Sequence, residues 1–237
     1  VTIKGKDTGA KLYTYFWSNS KELYDGRKRP CILICPGGGY EMTSDREAEG
    51  VAIRFMEMGY HAAVLRYSTT PDDVFPDAFL EAAACMKMLR EHAYWNNKKL
   101  AEILETTTEM LRPNGQILSY PVITTGKYRH EGSFKNLLGN FFEDYKGVCS
   151  VEENVSQYTP KTFIWHTFED AAVPVENSLM YVKALVKANI QVEFHLFPYG
   201  VHGLGTATPL SLSSDGRGVQ KQCAIWMDLA KEWIENL

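Results

Sequence analysis

Apolar residues along the chain fall into two rhythms. Short runs of aliphatic, β-branched and aromatic residues occupy positions 11–17, 31–35, 61–67, 116–120, 162–167 and 192–197, and read as strands. Between several of them the spacing changes to the three-and-four repeat of an amphipathic helix. Residues 45–58 carry Ala52, Ile53, Phe55 and Met56 as an apolar stripe. That segment opens at Ser44 as an N-cap with carboxylates in its first turn, and Gly59 stops it. Residues 76–92 begin with Pro76 and carry Phe79, Leu80, Ala83, Met86 and Leu89; residues 175–188 and 219–237 complete the set. Strands alternating with helices predict an α/β fold, a mostly parallel central sheet with helices on both faces. No repeat or low-complexity linker interrupts the pattern, so a single domain over residues 1–237 is expected. Residues 122–160 break the rhythm, being polar, aromatic-rich and weakly periodic. They read as an insertion over one end of the sheet, a lid or pocket wall, with a long surface connection as the plainer alternative.

Composition narrows the partners. A formal charge of -4 over 237 residues gives no electrostatic reason to expect nucleic acid or an anionic membrane surface. No apolar run reaches the roughly 18 residues of a membrane helix, and residues 1–6 lack the apolar core of a signal peptide. Five cysteines without paired spacing read as reduced core thiols of a cytoplasmic protein, and no Cys/His cluster suggests a metal.

The chemistry begins at CPGGGY, residues 35–40, where three glycines follow a core strand at once. Glycine loses the most conformational entropy on folding, so its use here asks for a reason. Neither the phosphate-loop pattern nor the dinucleotide fingerprint fits. A tight turn is one reading. An oxyanion hole is another, because bare backbone can approach a developing oxyanion and offer it N–H groups. That second reading demands a nucleophile, an acid and a histidine in chain order. HTFEDAAVP (166–174) places Asp170 just past a strand, and FPYGVHGLG (197–205) places His202 in a glycine-flanked loop after the next. Successive strand exits meet at the C-terminal edge of a parallel sheet, where an acid can orient an imidazole base. The other histidines, His61, His92, His130, His166 and His195, fit that role less well. They open or lie inside strands, end a helix, or fall in the insertion.

With these pieces in place the chain resembles the α/β-hydrolase esterases, in the bacterial branch of carboxylesterases, acetyl-xylan-esterase-like proteins and "sugar hydrolases". The likeness rests on CPGGGYEMTSDREAEGVAIRFMEMGYHAAVLRYS (35–68), FPDAFLEAAACMKMLREHA (75–93), GQILSYPVI (115–123), GSFKNLLG (132–139), TPKTFIWHTFEDAAVPVENSLMYVKAL (159–185) and VEFHLFPYGVHGLG (192–205). The resemblance implies hydrolysis of short acyl esters, often acetyl groups on sugars, without a cofactor. It implies Gly38 and Gly39 as oxyanion donors, Asp170 as triad acid and His202 as triad base. Pro36 stands where many relatives have histidine.

One part is absent. The family's nucleophile is a serine in G-x-S-x-G on a sharp strand-to-helix turn, and the 237-residue sequence contains no such motif. It should fall between residues 93 and 116, where YWNNKKLAEILETTTEMLRPNG (94–115) has no serine and no β-rich run. A strand, an elbow and most of a helix are lacking, about 25–30 residues. Either the fold has lost its nucleophile or the natural chain carries a further segment here. The strand would lie centrally, expected between those at 61–67 and 116–120, and excising it would orphan two rows of buried backbone groups. At ~1–3 kcal/mol per unmet group, against a total stability of ~5–15 kcal/mol, the second account is favoured. Cys149, Ser44 and Ser68 lack the elbow setting of a nucleophile. The expectation is therefore a serine carboxylesterase-type hydrolase acting through an acyl-enzyme on a small-molecule ester, its oligomeric state open. A catalytically inactive binding module and a peptidase of the same fold are the alternatives.

Overall fold

A computed structural model of the chain describes residues 1–3, 5–23, 27–71, 75–91 and 111–237. An N-terminal hairpin, β1 (Thr2–Ile3) and β2 (Lys6–Asp7), precedes β3 (Lys11–Tyr15) and β4 (Cys31–Ile34). Helix α1 (Glu49–Glu57), strand β5 (His61–Arg66) and helix α2 (Asp77–Glu91) follow. After β6 (Gly115–Ser119) come α3 (Glu131–Leu138) and α4 (Phe142–Cys149). The chain ends with β7 (Lys161–Thr167), α5 (Glu176–Lys187), β8 (Val192–Phe197) and α6 (Trp226–Glu235). No helix among the described residues is long and apolar enough to cross a membrane.

The parallel order is present, but it is divided. One three-stranded sheet runs β3-β5-β4 and another runs β6-β7-β8. Only the β3–β5 pairing within them is antiparallel. This corrects the expected place of the lacking strand. β5 already has β3 on one side and β4 on the other, so the lacking strand cannot lie beside β5; the edge strands are β3 and β4 in one sheet and β6 and β8 in the other. Burial marks the same break: β5 and β7 are buried through their middles, whereas all of β6 and most of β4 are only partly buried. The two sheets still share one apolar cluster. Ala62 and Val64 from β5 meet Phe163 and Trp165 from β7, covered by Phe55 of α1 and Trp226 of α6. Side chains alternate across each sheet, so Leu65 faces Cys85 of α2 on the opposite side, and Ile164 faces Tyr181 and Leu185 of α5. Helices thus cover both faces.

Local chemistry sets the element ends. The 45–58 segment is a 3-10 turn, Asp45–Glu47, followed by α1 rather than one helix, and the Ser44 side chain makes no capping bond. Gly59 stops α1 as expected. It takes φ 93°, donating from its N–H to Met56 O, while Tyr60 N–H donates to Phe55 O. These two bonds form a Schellman cap and aim the chain into β5. The last helix begins at Trp226 rather than 219, after a series of turns. The expected end of α2 at His92, and most of residues 94–115, lie outside the described residues. The 122–160 region carries its own helices and a small core of Phe134, Leu137, Leu138 and Cys149, against which Tyr40 and Phe75 pack. Cys85, Cys149 and Cys223 are buried free thiols, but Cys35 is exposed, so the reading of all five as core residues does not hold for it.

Candidate active site

β7 ends at Thr167, and the turn that follows buries Asp170 to 5% exposure. Its Oδ1 accepts the N–H groups of Ala172 and Val173 at 3.0 and 2.9 Å. Its Oδ2 lies 2.7 Å from His202 Nδ1, on the loop beyond β8. Thr167 Oγ1 donates to Gly200 O at 2.9 Å and ties the two loops together. Burial alone would raise the Asp170 pKa. Hydrogen bonds from His166 and His202, with that from the Val173 N–H, instead hold it well below the usual carboxylate range. An ionised carboxylate makes Nδ1 of His202 the protonated nitrogen. Nε2 is left without a hydrogen-bond partner among the described residues, on a side chain still 35% exposed. Asp170 and His202 therefore form an oriented acid–imidazole pair.

The glycine loop follows β4. All four carbonyls of residues 36–39 are occupied. Tyr67 OH donates to Pro36 O at 2.6 Å, and Ser44 N–H donates to Gly37 O at 2.8 Å. Glu41 and Met42 N–H groups donate to Gly38 O, and Asn136 Nδ2 donates to Gly39 O at 2.9 Å. The N–H groups of Gly38 and Gly39 donate to no described residue. Gly38 takes φ 137°, and a Cβ there would stand 2.1 Å from Met42 O; Gly39 takes φ 62°. Only glycine fits the first of these positions without displacing backbone.

Glu47 and Tyr120 join the two halves. Glu47 Oε2 accepts the Gly37 N–H at 2.8 Å, and Glu47 Oε1 accepts the Tyr120 hydroxyl at 2.5 Å. The Tyr120 oxygen in turn accepts the buried Gly205 N–H at 2.9 Å, and its ring meets the His202 imidazole edge-on at 4.8 Å. Arg46 Nη1 adds a bond to Gly203 O at 2.7 Å. One polar chain thus runs from the glycine loop, across the end of β6, to the histidine loop.

The prolyl oligopeptidase family model matches residues 120–211. A bifunctional acetyl ester-xyloside hydrolase of known structure from Caldicellulosiruptor lactoaceticus superposes with a TM-score of 0.82 at 30% identity, covering 99% of this chain and 92% of that one. The chain belongs to the α/β-hydrolase family. Two curated relatives are also similar. Endo-1,4-beta-xylanase B of Butyrivibrio fibrisolvens is 36% identical over 213 residues, 77% of this chain and 34% of that protein. An acetylxylan esterase of Xylanibacter ruminicola is 29% identical over 202 residues, 75% of this chain and 41% of that protein. The chain spans well under half the length of either.

In this α/β-hydrolase the residues proposed from sequence lie at one end of the sheets, and sequence reasoning overlooked the residues that link them. Glu47 looked like a first-turn helix carboxylate, yet it reaches back to the glycine loop. Tyr120 looked like the last residue of a strand, and its hydroxyl role depends on a partner 73 residues away. The residues set aside as nucleophiles have other surroundings. Ser68 Oγ is bonded to Glu81 and Thr8 O. Ser44 is buried, and burial raises the Cys149 thiol pKa.

Proposed function

We propose that this protein is a serine ester hydrolase acting on small esters of short acyl groups, acetylated sugars among them. The observation that carries the reading is the buried Asp170 bonded at 2.7 Å to His202, which Tyr120 and Glu47 link to a loop whose Gly38 and Gly39 N–H groups are unpaired among the described residues. In this reading a serine on a strand–turn–helix segment beyond the 237-residue sequence stands beside His202 Nε2. His202 takes the serine proton as Oγ attacks the ester carbonyl, and Asp170 stabilises the imidazolium. Gly38 and Gly39 N–H groups stabilise the oxyanion. The tetrahedral intermediate collapses, and His202 returns the proton to the leaving alkoxide. Water, deprotonated by the same imidazole, then releases the acid and regenerates the serine. No step needs a cofactor. Residues 122–160 supply the pocket wall, through Asn136 on Gly39 O and Phe134 and Leu137 beneath Tyr40.

Peptide mapping of the naturally encoded protein between residues 91 and 116 tests this. A segment of the required size adds about 3 kDa to that stretch. A longer stretch there, labelled on its serine by a fluorophosphonate in a protein that cleaves p-nitrophenyl acetate, supports the esterase. The 94–115 sequence as it stands, with no labelling, means an inactive binding module. Faster cleavage of peptide p-nitroanilides than of p-nitrophenyl acetate means a peptidase.

A further inference from the structure

A second imidazole stands at the same site. His130 is the N-cap of α3: the Ser133 N–H donates to its Nδ1 at 3.2 Å, and Ser133 Oγ lies 2.9 Å from the same atom. A nitrogen that accepts an N–H carries no proton of its own. The neutral ring is therefore protonated on Nε2, and this nitrogen has no partner among the described residues. The ring is partly buried, and its Cε1 lies 4.0 Å from where a Cβ on Gly39 would stand. Asn136, one turn further along α3, fixes the same loop through Gly39 O. The charge of His202 also acts on His130. Burial first, then His202, lower the pKa of His130, and Asp170 opposes this more weakly. A neutral ring with a directed Nε2–H donor is the state that follows near pH 7.

We infer that His130 is a substrate-binding donor: its Nε2–H, on the ring beside Gly39, hydrogen-bonds a hydroxyl oxygen of a polyhydroxylated alcohol next to the scissile ester. The inference rests on the esterase reading for which side of the substrate it meets. His202 delivers a proton to the departing alcohol oxygen, so a donor beside His202 faces the alcohol rather than the acyl tail. A simple alcohol offers it nothing, whereas a sugar offers a neighbouring hydroxyl. Bound substrate cuts this donor off from water, so an ester that lacks the acceptor leaves it unpaired and is penalised.

His130→Asn is the informative variant, because asparagine caps helices well and its shorter side chain does not reach the site. Thermal unfolding checks that it folds. Hydrolysis of O-acetyl methyl β-xyloside and of p-nitrophenyl acetate is then compared. The ratio of kcat/KM for the sugar ester to that for the phenyl ester is expected to fall about five- to tenfold, mostly through KM. An unchanged ratio, with both substrates slowed equally or neither slowed, overturns the inference and leaves His130 a structural cap. A parent protein that hydrolyses neither ester refutes the esterase reading instead. His130 is then judged by binding alone, as it is if the variant fails to fold. Its assigned Cε1–H NMR signal in the parent protein is followed during titration with methyl β-xyloside. A saturable shift supports the donor role, and a signal that does not move overturns it.

Discussion

At Asp170 the contacts that orient His202 also tie stability to pH. An aspartate in an unfolded chain titrates near 3.9, and in the fold its pKa is held well below that range. Its contribution is therefore fully present above about pH 4 and is lost as pH falls from there toward the folded value. Urea unfolding at pH 4.5 and at pH 2.5 is expected to show a larger loss for the wild type than for Asp170→Asn, which has no carboxyl to protonate. Equal losses would mean that the carboxylate gains nothing from its histidine and backbone partners. The glycines make a second residue-level test, because they differ in the space around them. Gly38→Ala places a methyl against backbone Met42 O, where nothing flexible can yield, in a φ region that L residues avoid. A loss of about 2–4 kcal/mol is expected in urea unfolding. Gly39→Ala has ordinary clearance, 3.6 Å to Ser133 Oγ, and carries only the conformational cost of its positive φ, about 1 kcal/mol. If the two variants unfold alike, the loop does not hold the close approach to Met42 in solution.

Among the elements, β6 matters less for its pairing than for where it ends. Tyr120, one residue past it, spends its hydroxyl on Glu47 and on the buried Gly205 N–H, so the strand's exit joins the glycine loop to the histidine loop. Tyr120→Phe keeps the ring packed on Trp165 but leaves the Gly205 N–H without its acceptor. A destabilisation of about 1–3 kcal/mol is expected by thermal unfolding, and an unchanged midpoint would show that water or another group satisfies Gly205. These links explain what could be read from the chain and what could not. Strand β8 at 192–197 and the positions of Asp170 and His202 were legible because each rests on a local pattern: a run of apolar residues, a turn after a strand, a glycine-flanked loop. Glu47, Tyr120 and His130 were not. Each has a plausible local role, first-turn carboxylate, strand end or loop residue, and reveals its other one only through partners brought close by the fold. Likewise the alternation of strands with helices indicated that both faces are covered, yet strand order is a non-local property. The lacking strand was therefore assigned to the edge of β5 when β5 is already paired on both sides.

Across the whole molecule, the division of the sheet and the absent nucleophile are one feature seen twice. β4 carries the glycine loop at its end, β6 carries Tyr120 at its end, both are edge strands, and Glu47 joins those two ends through the Gly37 N–H and the Tyr120 hydroxyl. A strand between them would place its own C-terminal turn between the oxyanion loop and His202, where this chemistry needs a nucleophile. The partial burial of β6, with Ile117 and Leu118 among its residues, is what a strand made for the middle of a sheet shows when it stands at an edge. Amide hydrogen exchange of the 237-residue chain should then be graded. The amides of β5 and β7, held between partners, should exchange slowest, and the outward N–H groups of β4 and β6 markedly faster. Insertion of a strand–G-x-S-x-G–helix segment between residues 92 and 115 should slow exchange in β4 and β6 together and raise the unfolding midpoint. It should also confer labelling by a fluorophosphonate at the new serine. If β4 and β6 exchange as slowly as β5 and β7 without the insert, the two sheets are closed in solution by other means. In that case Asp170 and His202 orient an imidazole toward a space that no elbow strand can enter.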